Sequence, residues 1–355
     1  MLQGIRDFGF HETRPVQSAV IPFALSGHDV IGCAETGTGK TAAFVLPILQ
    51  RLVASPDQAT PGTRVLILAP TRELAVQIED EIQGLSYHAH VPSVAVYGGV
   101  GMDVQERALH AGAAIVVATP GRLMDHMRRG TTRLDGLEVL VLDEADRMMD
   151  MGFWPDVQRI ISTLPADRQT LLFSATMPEP VMTLSSAILR EPKYIQIGSA
   201  RGPASTITHS VHRIETTDKA RWLGEFLKRT PGPSLIFVRT KRGADRLARR
   251  LAEFGIRTSA LHADRSQSQR MAAVEGFRTG RFSALVATDI AARGLDIDGI
   301  AHVINFEVPD TPEAYVHRVG RTGRATASGH AMTLVAPGEL DALRALEQSV
   351  GVQLQ

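Results

Sequence analysis

Three short stretches of this 355-residue chain combine residue types at spacings that can do chemistry. The first is Ala34-Glu35-Thr36-Gly37-Thr38-Gly39-Lys40-Thr41. It follows a strand-like run, Asp29–Gly32, and opens a helical pattern, which is the context a phosphate loop needs. Glycines let a backbone wrap phosphate oxygens, and the helix N-terminus adds its positive dipole. Lys40 would reach the β- and γ-phosphates, and Thr41 would ligate Mg²⁺. Ala34 stands where the first glycine of the generic pattern belongs, and a chance Gly/Thr-rich turn is the competing reading.

The second stretch, Asp143-Glu144-Ala145-Asp146, follows the apolar run Val139–Leu142. Carboxylates at the C-terminal end of a strand sit where α/β sheets bind ligands. Asp143 would hold Mg²⁺, and Glu144 would orient or deprotonate an attacking water. Alone, such residues make a common helix start; the phosphate loop upstream favours the chemical reading. The third stretch is His317-Arg318-Val319-Gly320-Arg321-Thr322-Gly323-Arg324. Arg321 and Arg324 stand three apart, so in a helical turn they would share one face and could neutralise a transferring phosphate. A solvated basic turn is the alternative.

The elements that must position these groups are legible as alternation. Short apolar runs at Val65–Ala69, Ala113–Ala118, Leu137–Leu142 and Thr170–Phe173 are separated by patterns of helical period such as Thr41–Val53 and Arg72–Leu85. Continuous apolar runs joined by helices predict strands buried on both faces of a parallel sheet. The pattern breaks into Gly, Ala, Ser and Pro at Ser199–Ser205 and then restarts, with strands expected at Ser234–Val238, Arg257–Leu261, Ser283–Ala287 and His302–Phe306. The expected organisation is an α/β domain over 1–198, a linker over 199–206, and a second α/β domain over 207–355, in line with the usual domain size of about 100–200 residues.

Composition narrows the class. Hydrophobic residues make up 44% of the chain, enough for sizeable cores. The one cysteine, Cys33, rules out an intrachain disulfide framework and fits a reducing cytosol. No apolar stretch is long enough to span a membrane, and the N-terminus lacks a signal-peptide layout. The net charge is zero, with 38 basic and 38 acidic residues. Residues 1–200 carry 16 basic and 22 acidic side chains (net −6), leaving 22 and 16 for the remainder (net +6). That asymmetry hints at a nucleic-acid surface, with a chance split as the alternative.

The three motifs, in this order, resemble those of the DEAD-box RNA helicases. Further motifs of that family follow its order: Pro70-Thr71-Arg72-Glu73-Leu74-Ala75, Gly98-Gly99, Thr119-Pro120-Gly121-Arg122, Ser174-Ala175-Thr176, Phe237–Thr240, Gln267-Ser268-Gln269-Arg270 and Ala292-Arg293-Gly294-Leu295-Asp296. The resemblance spans nearly the whole chain. It implies two tandem RecA-like domains, each a mostly parallel sheet flanked by helices. ATP and Mg²⁺ are the implied ligands of the first domain, with Arg321 and Arg324 of the second completing the site, and RNA is the implied partner across both. Gln17 resembles the glutamine that reads adenine, and Phe10 the aromatic that packs on the base. Gly294 and Asp296 resemble the second domain's nucleotide contacts. Ser174, Ala175 and Thr176, with Asp146 and His317, resemble the residues that couple hydrolysis to strand separation. Pro70, Thr71, Arg72, Gly98, Gly99, Thr119 and Arg122 resemble RNA-backbone contacts of the first domain. Arg239, Arg270 and Thr288 are candidates for the second.

The implied activity is RNA-stimulated ATP hydrolysis with local separation of duplexes, in the cytoplasm. An ATP-gated RNA clamp and a DNA helicase on the same core are the rival readings. The sequence departs from the family pattern at Arg14, where threonine is usual, and at Ala263, where glycine is common. The isolated aromatic that often precedes the glutamine would fall before Met1, and no basic or glycine-rich tail follows the core. A trimmed core is therefore the expectation.

Overall fold

The computed structural model describes residues 2–34, 37–54, 62–197, 207–292, 297, 299–323 and 328–350. The expectations for Glu35, Thr36, Gly294, Asp296, Arg324 and the whole 199–206 linker fall outside these residues. The chain divides into two compact units, Met1–Gly198 and Ser199–Gln355.

The first unit is built on a sheet of strands β1 (Val30–Cys33), β2 (Val65–Leu68), β3 (Ser93–Val96), β4 (Ile115–Ala118), β5 (Val139–Leu142), β6 (Gln169–Ser174) and β7 (Lys193–Gln196). They lie in the order β3-β4-β2-β5-β6-β1-β7, every described pairing parallel. Parallel neighbours need crossover connections, and the intervening helices supply them. Successive side chains point to opposite faces. Val65, Ile67, Val139 and Val141 pack with helices Pro15–Leu25, Lys40–Ala54 and Arg72–Ser86. Leu66, Leu68, Leu140 and Leu142 pack on the other face with helices Pro120–Arg129 and Trp154–Ser162. Each such side chain contributes about 1.5–3 kcal/mol by burial, which is why these strands read as unbroken apolar runs.

The second unit repeats the plan with β8 (Ile207–Arg213), β9 (Ser234–Phe237), β10 (Thr258–Leu261), β11 (Ala284–Ala287), β12 (His302–Asn305) and β13 (Gly329–Val335). Their order is β10-β11-β9-β12-β13-β8, again parallel throughout the described pairings. Leu235 and Leu285 join one core, Ile236 and Val286 the other. In the first unit the described motif residues cluster where strands end and helices begin, whereas in the second His317 and Arg321 lie at the C-terminal end of helix Pro312–Val319.

Candidate functional site

The phosphate-loop segment leaves β1 at Cys33 and enters the helix Lys40–Ala54. Gly37 and Gly39 have φ of 80° and 91°, a left-handed conformation that only glycine takes at no steric cost. Lys40 is buried, and its Nζ donates to the Ala34 carbonyl at 2.7 Å. Ala34 N in turn donates to Ser174 O at 3.0 Å, tying the loop to the end of β6. Thr41 is half-buried on the first turn of the helix.

Gln17 braces the same loop. Its Oε1 accepts from Arg14 N at 2.9 Å and its Nε2 donates to Gly39 O at 3.2 Å. Arg14, one of the sequence departures, adds a hydrogen bond from Nη1 to Gly37 O at 2.9 Å. A Cβ on Gly39 would press on the Gln17 amide, so this glycine is needed for contact as well as conformation. Phe10 is half-buried and stacks on Phe8, with centroids 5.8 Å apart and planes 13° from parallel.

Asp143 and Glu144 follow β5, and both are buried. Burial pushes the Asp143 carboxyl up to about 6, against the pull of the Lys40 charge. Glu144 N donates to Asp143 Oδ1 at 2.9 Å. Glu144 itself has φ 52° and ψ 53°, a left-handed backbone that costs a non-glycine residue about 1–3 kcal/mol and aims its side chain. That side chain meets Arg147, whose Nη1 donates to Glu144 Oε2 at 2.6 Å with both groups buried. Sequence reasoning missed Arg147. Within the run DRMMD it reads as an exposed helix cation, and only its burial distinguishes it.

Asp146 links this segment to Ser174-Ala175-Thr176. Its Oδ2 accepts from Thr176 N at 2.9 Å and from Thr176 Oγ1 at 2.8 Å, while its own N–H donates to Ser174 Oγ at 3.1 Å. Ala175 O accepts from the Cys33 thiol at 3.5 Å, adding a tie to β1.

The other motifs of the first unit also meet. Thr71 follows Pro70 and caps helix Arg72–Ser86, its hydroxyl accepting from Leu74 N at 3.3 Å. The Arg72 guanidinium lies against Gly98 and Gly99, where a side chain on Gly99 would overlap it. Thr119 is buried at the start of helix Pro120–Arg129. Arg122 Nη1 donates to Val100 O at 3.0 Å and to Gln105 Oε1 at 3.4 Å. Behind it lies a network that the sequence did not betray. Gln105 Nε2 donates to Tyr97 O at 2.9 Å, and the buried His126 contacts Gln105 at 3.2 Å and Thr131 at 2.8 Å. Burial, with Arg122 nearby, lowers the His126 pKa, so the ring is held neutral.

In the second unit, Arg239 Nη2 lies 3.0 Å from Asp310 Oδ1, and its N–H donates to Glu307 Oε2 at 2.7 Å. Thr288 is buried just past β11, its N–H donating to Leu261 O at 3.2 Å. Arg270 is half-buried on helix Gln267–Arg278. His317 is half-buried on helix Pro312–Val319, and its carbonyl accepts from Arg321 Nε at 3.3 Å. The helix stops at Val319 with Gly320 as its cap, and Arg321 N and Thr322 N continue with turn bonds to Arg318 O at 3.1 Å and Val319 O at 3.0 Å. The face expected to be shared by Arg321 and Arg324 falls partly outside the described residues. Arg321 is buried in that turn. Arg318 is a structural cation: it grips Asp289 with two hydrogen bonds of 2.6 Å and lies over the Phe237 ring.

Residues 14–184 match the DEAD/DEAH box helicase family, and residues 218–326 match the helicase conserved C-terminal domain. The ATP-dependent RNA helicase CshA of Listeria monocytogenes is 44% identical over 100% of this chain and 68% of its own length. This chain belongs to the DEAD-box helicase family. The DEAD-box helicase CshA of Bacillus subtilis is 42% identical over 98% of this chain and 70% of its own length. Among solved DEAD-box structures, Saccharomyces cerevisiae Dbp5 bound to RNA and ADP BeF3 superimposes with a TM-score of 0.88 at 30% identity, covering 99% of this chain and 91% of Dbp5. The tandem parallel-sheet units are accordingly RecA-like domains of a DEAD-box protein.

Proposed function

We propose that this chain is the core of an ATP-dependent RNA helicase that hydrolyses ATP in an RNA-stimulated manner and separates short duplexes locally. The observation that carries the reading is the buried acid pair Asp143 and Glu144 set beside Lys40 and a glycine-shaped loop. In this reading the 34–41 backbone and Lys40 hold the phosphates of ATP, and Gln17 and Phe10 receive the adenine. Glu144 takes the proton of a water whose oxygen attacks the γ-phosphorus, as the bond from phosphorus to the ADP oxygen breaks. Arg147 keeps the Glu144 carboxylate oriented and compensated. Arg321 and Arg324 supply positive charge to the transferring phosphate, and Gly294 and Asp296 add contacts to the nucleotide.

The donor set also suits Mg²⁺. Asp143 is a wholly buried carboxylate whose ionised form is disfavoured by burial, and an adjacent divalent cation would offset that penalty. Asp143 and Thr41 would hold the ion, which when bound neutralises charge on the phosphate oxygens.

Arg72, the Gly98-Gly99 turn, Thr119 and Arg122, together with Arg239, Arg270 and Thr288, contact the RNA backbone in this reading. Such contacts grip without reading sequence. The Asp146–Thr176 bonds pass the state of the nucleotide to the rest of the first unit, with His317 serving the same coupling in the second. No described helix is long and apolar enough to cross a membrane, and a cytoplasmic site of action is proposed with the RNA substrate. The deciding experiment is the ATPase rate alone, with single-stranded RNA, and with DNA of the same sequence. Strong stimulation by RNA only is expected; equal stimulation by DNA overturns the RNA assignment, and no stimulation overturns the coupling.

A further inference from the structure

The second unit carries a cavity of about 600 Å³ at the free edge of its sheet, within the size range of small-ligand sites. Edge strand β10 forms one wall, one face of helix Lys241–Glu253 the other, and the segment from His262 to Gln269 closes its end. Ala248, Ala252 and Ala260 line it, and their small side chains leave the volume open.

Its chemistry is cationic. Lys241, Arg242, Arg249 and Arg265 face it, against Asp245 and Asp264, a residue of two positive charges. Both acids are already engaged: Asp264 with Lys241 at 2.6 Å and Asp245 with Arg265 at 2.5 Å. Arg242 and Arg249 are exposed, and neither is in an ion pair among the described residues. The cavity also holds unsatisfied polar atoms. His262 is 3% exposed, and its Nδ1 finds no hydrogen-bond partner. Its Nε2 lies 3.0 Å from Asp245 Oδ1. Arg265 Nε is likewise buried without a partner. Buried polar atoms of this kind are normally met by a partner, so a ligand that reaches them is favoured.

Position selects the ligand. Lys241 directly follows Arg239-Thr240, and Arg270 directly follows Gln269. The cavity is therefore continuous in sequence with two candidate RNA contacts, and Lys241, His262 and Asp264, which line it, follow the C-terminal ends of β9 and β10 in the chain. We infer that it is a further RNA subsite, which takes a phosphate and ribose of the strand just outside the span held by Arg239 and Arg270. Arg242 and Arg249 meet the phosphate, while His262 and Arg265 offer hydrogen-bonding atoms to the sugar–phosphate backbone.

This inference rests on the RNA-helicase reading, and its test separates the two. The full chain and Arg242→Ala/Arg249→Ala are compared in RNA affinity, by anisotropy, over oligouridylates of increasing length and over a salt series. Both arginines are exposed, so the variant should keep the wild-type melting profile. On long strands its affinity should fall about tenfold, and the slope of log affinity against log salt should become shallower by about one per lost phosphate contact. On the shortest strand that still stimulates hydrolysis, variant and wild type should bind alike. An equal loss at every length would mean a diffuse charge effect, and no loss at any length would leave the cavity to another anionic partner such as an acidic protein segment. Either result overturns the subsite while leaving the helicase reading intact. Wild-type chain that binds no RNA overturns both.

Discussion

Arg147 Nη1 donates to Glu144 Oε2 across 2.6 Å, and both side chains are closed off from solvent. The two halves of this pair have separable consequences. In Glu144→Gln the amide oxygen can still accept from Arg147, so the fold should hold and ATP should still bind. Turnover should fall about 10²-fold or more, the scale of a lost general base. In Arg147→Met the buried carboxylate loses the Arg147 ion pair, and breaking such a buried pair typically costs about 3–5 kcal/mol. Urea unfolding should show that loss in Arg147→Met and little change in Glu144→Gln. Wild-type turnover in Glu144→Gln would sink the assignment of the base.

Thr176 meets Asp146 twice, through its N–H and through its hydroxyl. Thr176→Val removes only the hydroxyl bond, about 1 kcal/mol of net stability. If this contact carries coupling, duplex separation should drop at least severalfold while RNA-stimulated hydrolysis persists. A parallel fall of both rates would assign Thr176 to the chemistry instead.

Gly99 has φ 86°, and its Cα faces the Arg72 guanidinium. Gly99→Ala asks an alanine to adopt a left-handed backbone and to displace that arginine. RNA affinity should fall by roughly tenfold, about the 1.4 kcal/mol expected of a disturbed backbone contact. ATP affinity measured without RNA should not move. Unchanged RNA affinity would remove this turn from the RNA path.

These expectations rest on features that differ in how far the sequence exposes them. β2, β4 and β5 are buried on both faces, so each reads as an unbroken apolar run. Edge strands β3, β7 and β8 escaped that signal because most of their residues are only half-buried or exposed; β7 is KYIQ, with only Ile195 buried. β13 escaped it too: it is buried over Ala331–Val335, but Gly-His at its start and Thr333 in its middle break the apolar run. The phosphate loop and the acidic segment are contiguous and were legible. Arg147, Gln105 and His126 do their work through burial and through partners on other elements, which no local pattern encodes.

Burial lowers the pKa of His209, His212 and His330, all in the second unit. Each binds a proton less readily folded than unfolded. The unfolded chain therefore takes up more protons as the pH falls through the ordinary histidine value near 6.5, and stability falls with it. Above that value the contribution is fully present. Trp222 stacks on Phe226 and lies 4.6 Å from His212, so its fluorescence reports this unit in a Trp154→Phe background. The urea midpoint it reports should drop between about pH 7.5 and pH 5.5. A flat midpoint over that range would show that these rings are not held neutral.

Gln17 serves two tasks in the proposed mechanism, and its substitutions can tell them apart. One task is visible: Oε1 accepts from Arg14 N, and Nε2 donates to Gly39 O within the phosphate loop. The other is adenine recognition, for which the carboxamide keeps one amide hydrogen and further lone pairs. Gln17→Glu retains the acceptor toward Arg14 but sets an oxygen against the Gly39 carbonyl. The loop loses its brace, and the half-buried Gly39 carbonyl keeps only the Ala43 N–H while facing a carboxylate oxygen, at about 1–3 kcal/mol. Affinity for ATP and for GTP should therefore fall together, by roughly 5- to 150-fold on that energy. Adenine recognition makes a different prediction for the wild-type chain. Guanine presents O6 where adenine presents an amino donor, so the intact glutamine should favour ATP over GTP, and Gln17→Ala should narrow that ratio as well as weaken binding. Equal RNA-stimulated rates with ATP and GTP in the wild type would leave Gln17 as a brace for the loop and nothing more.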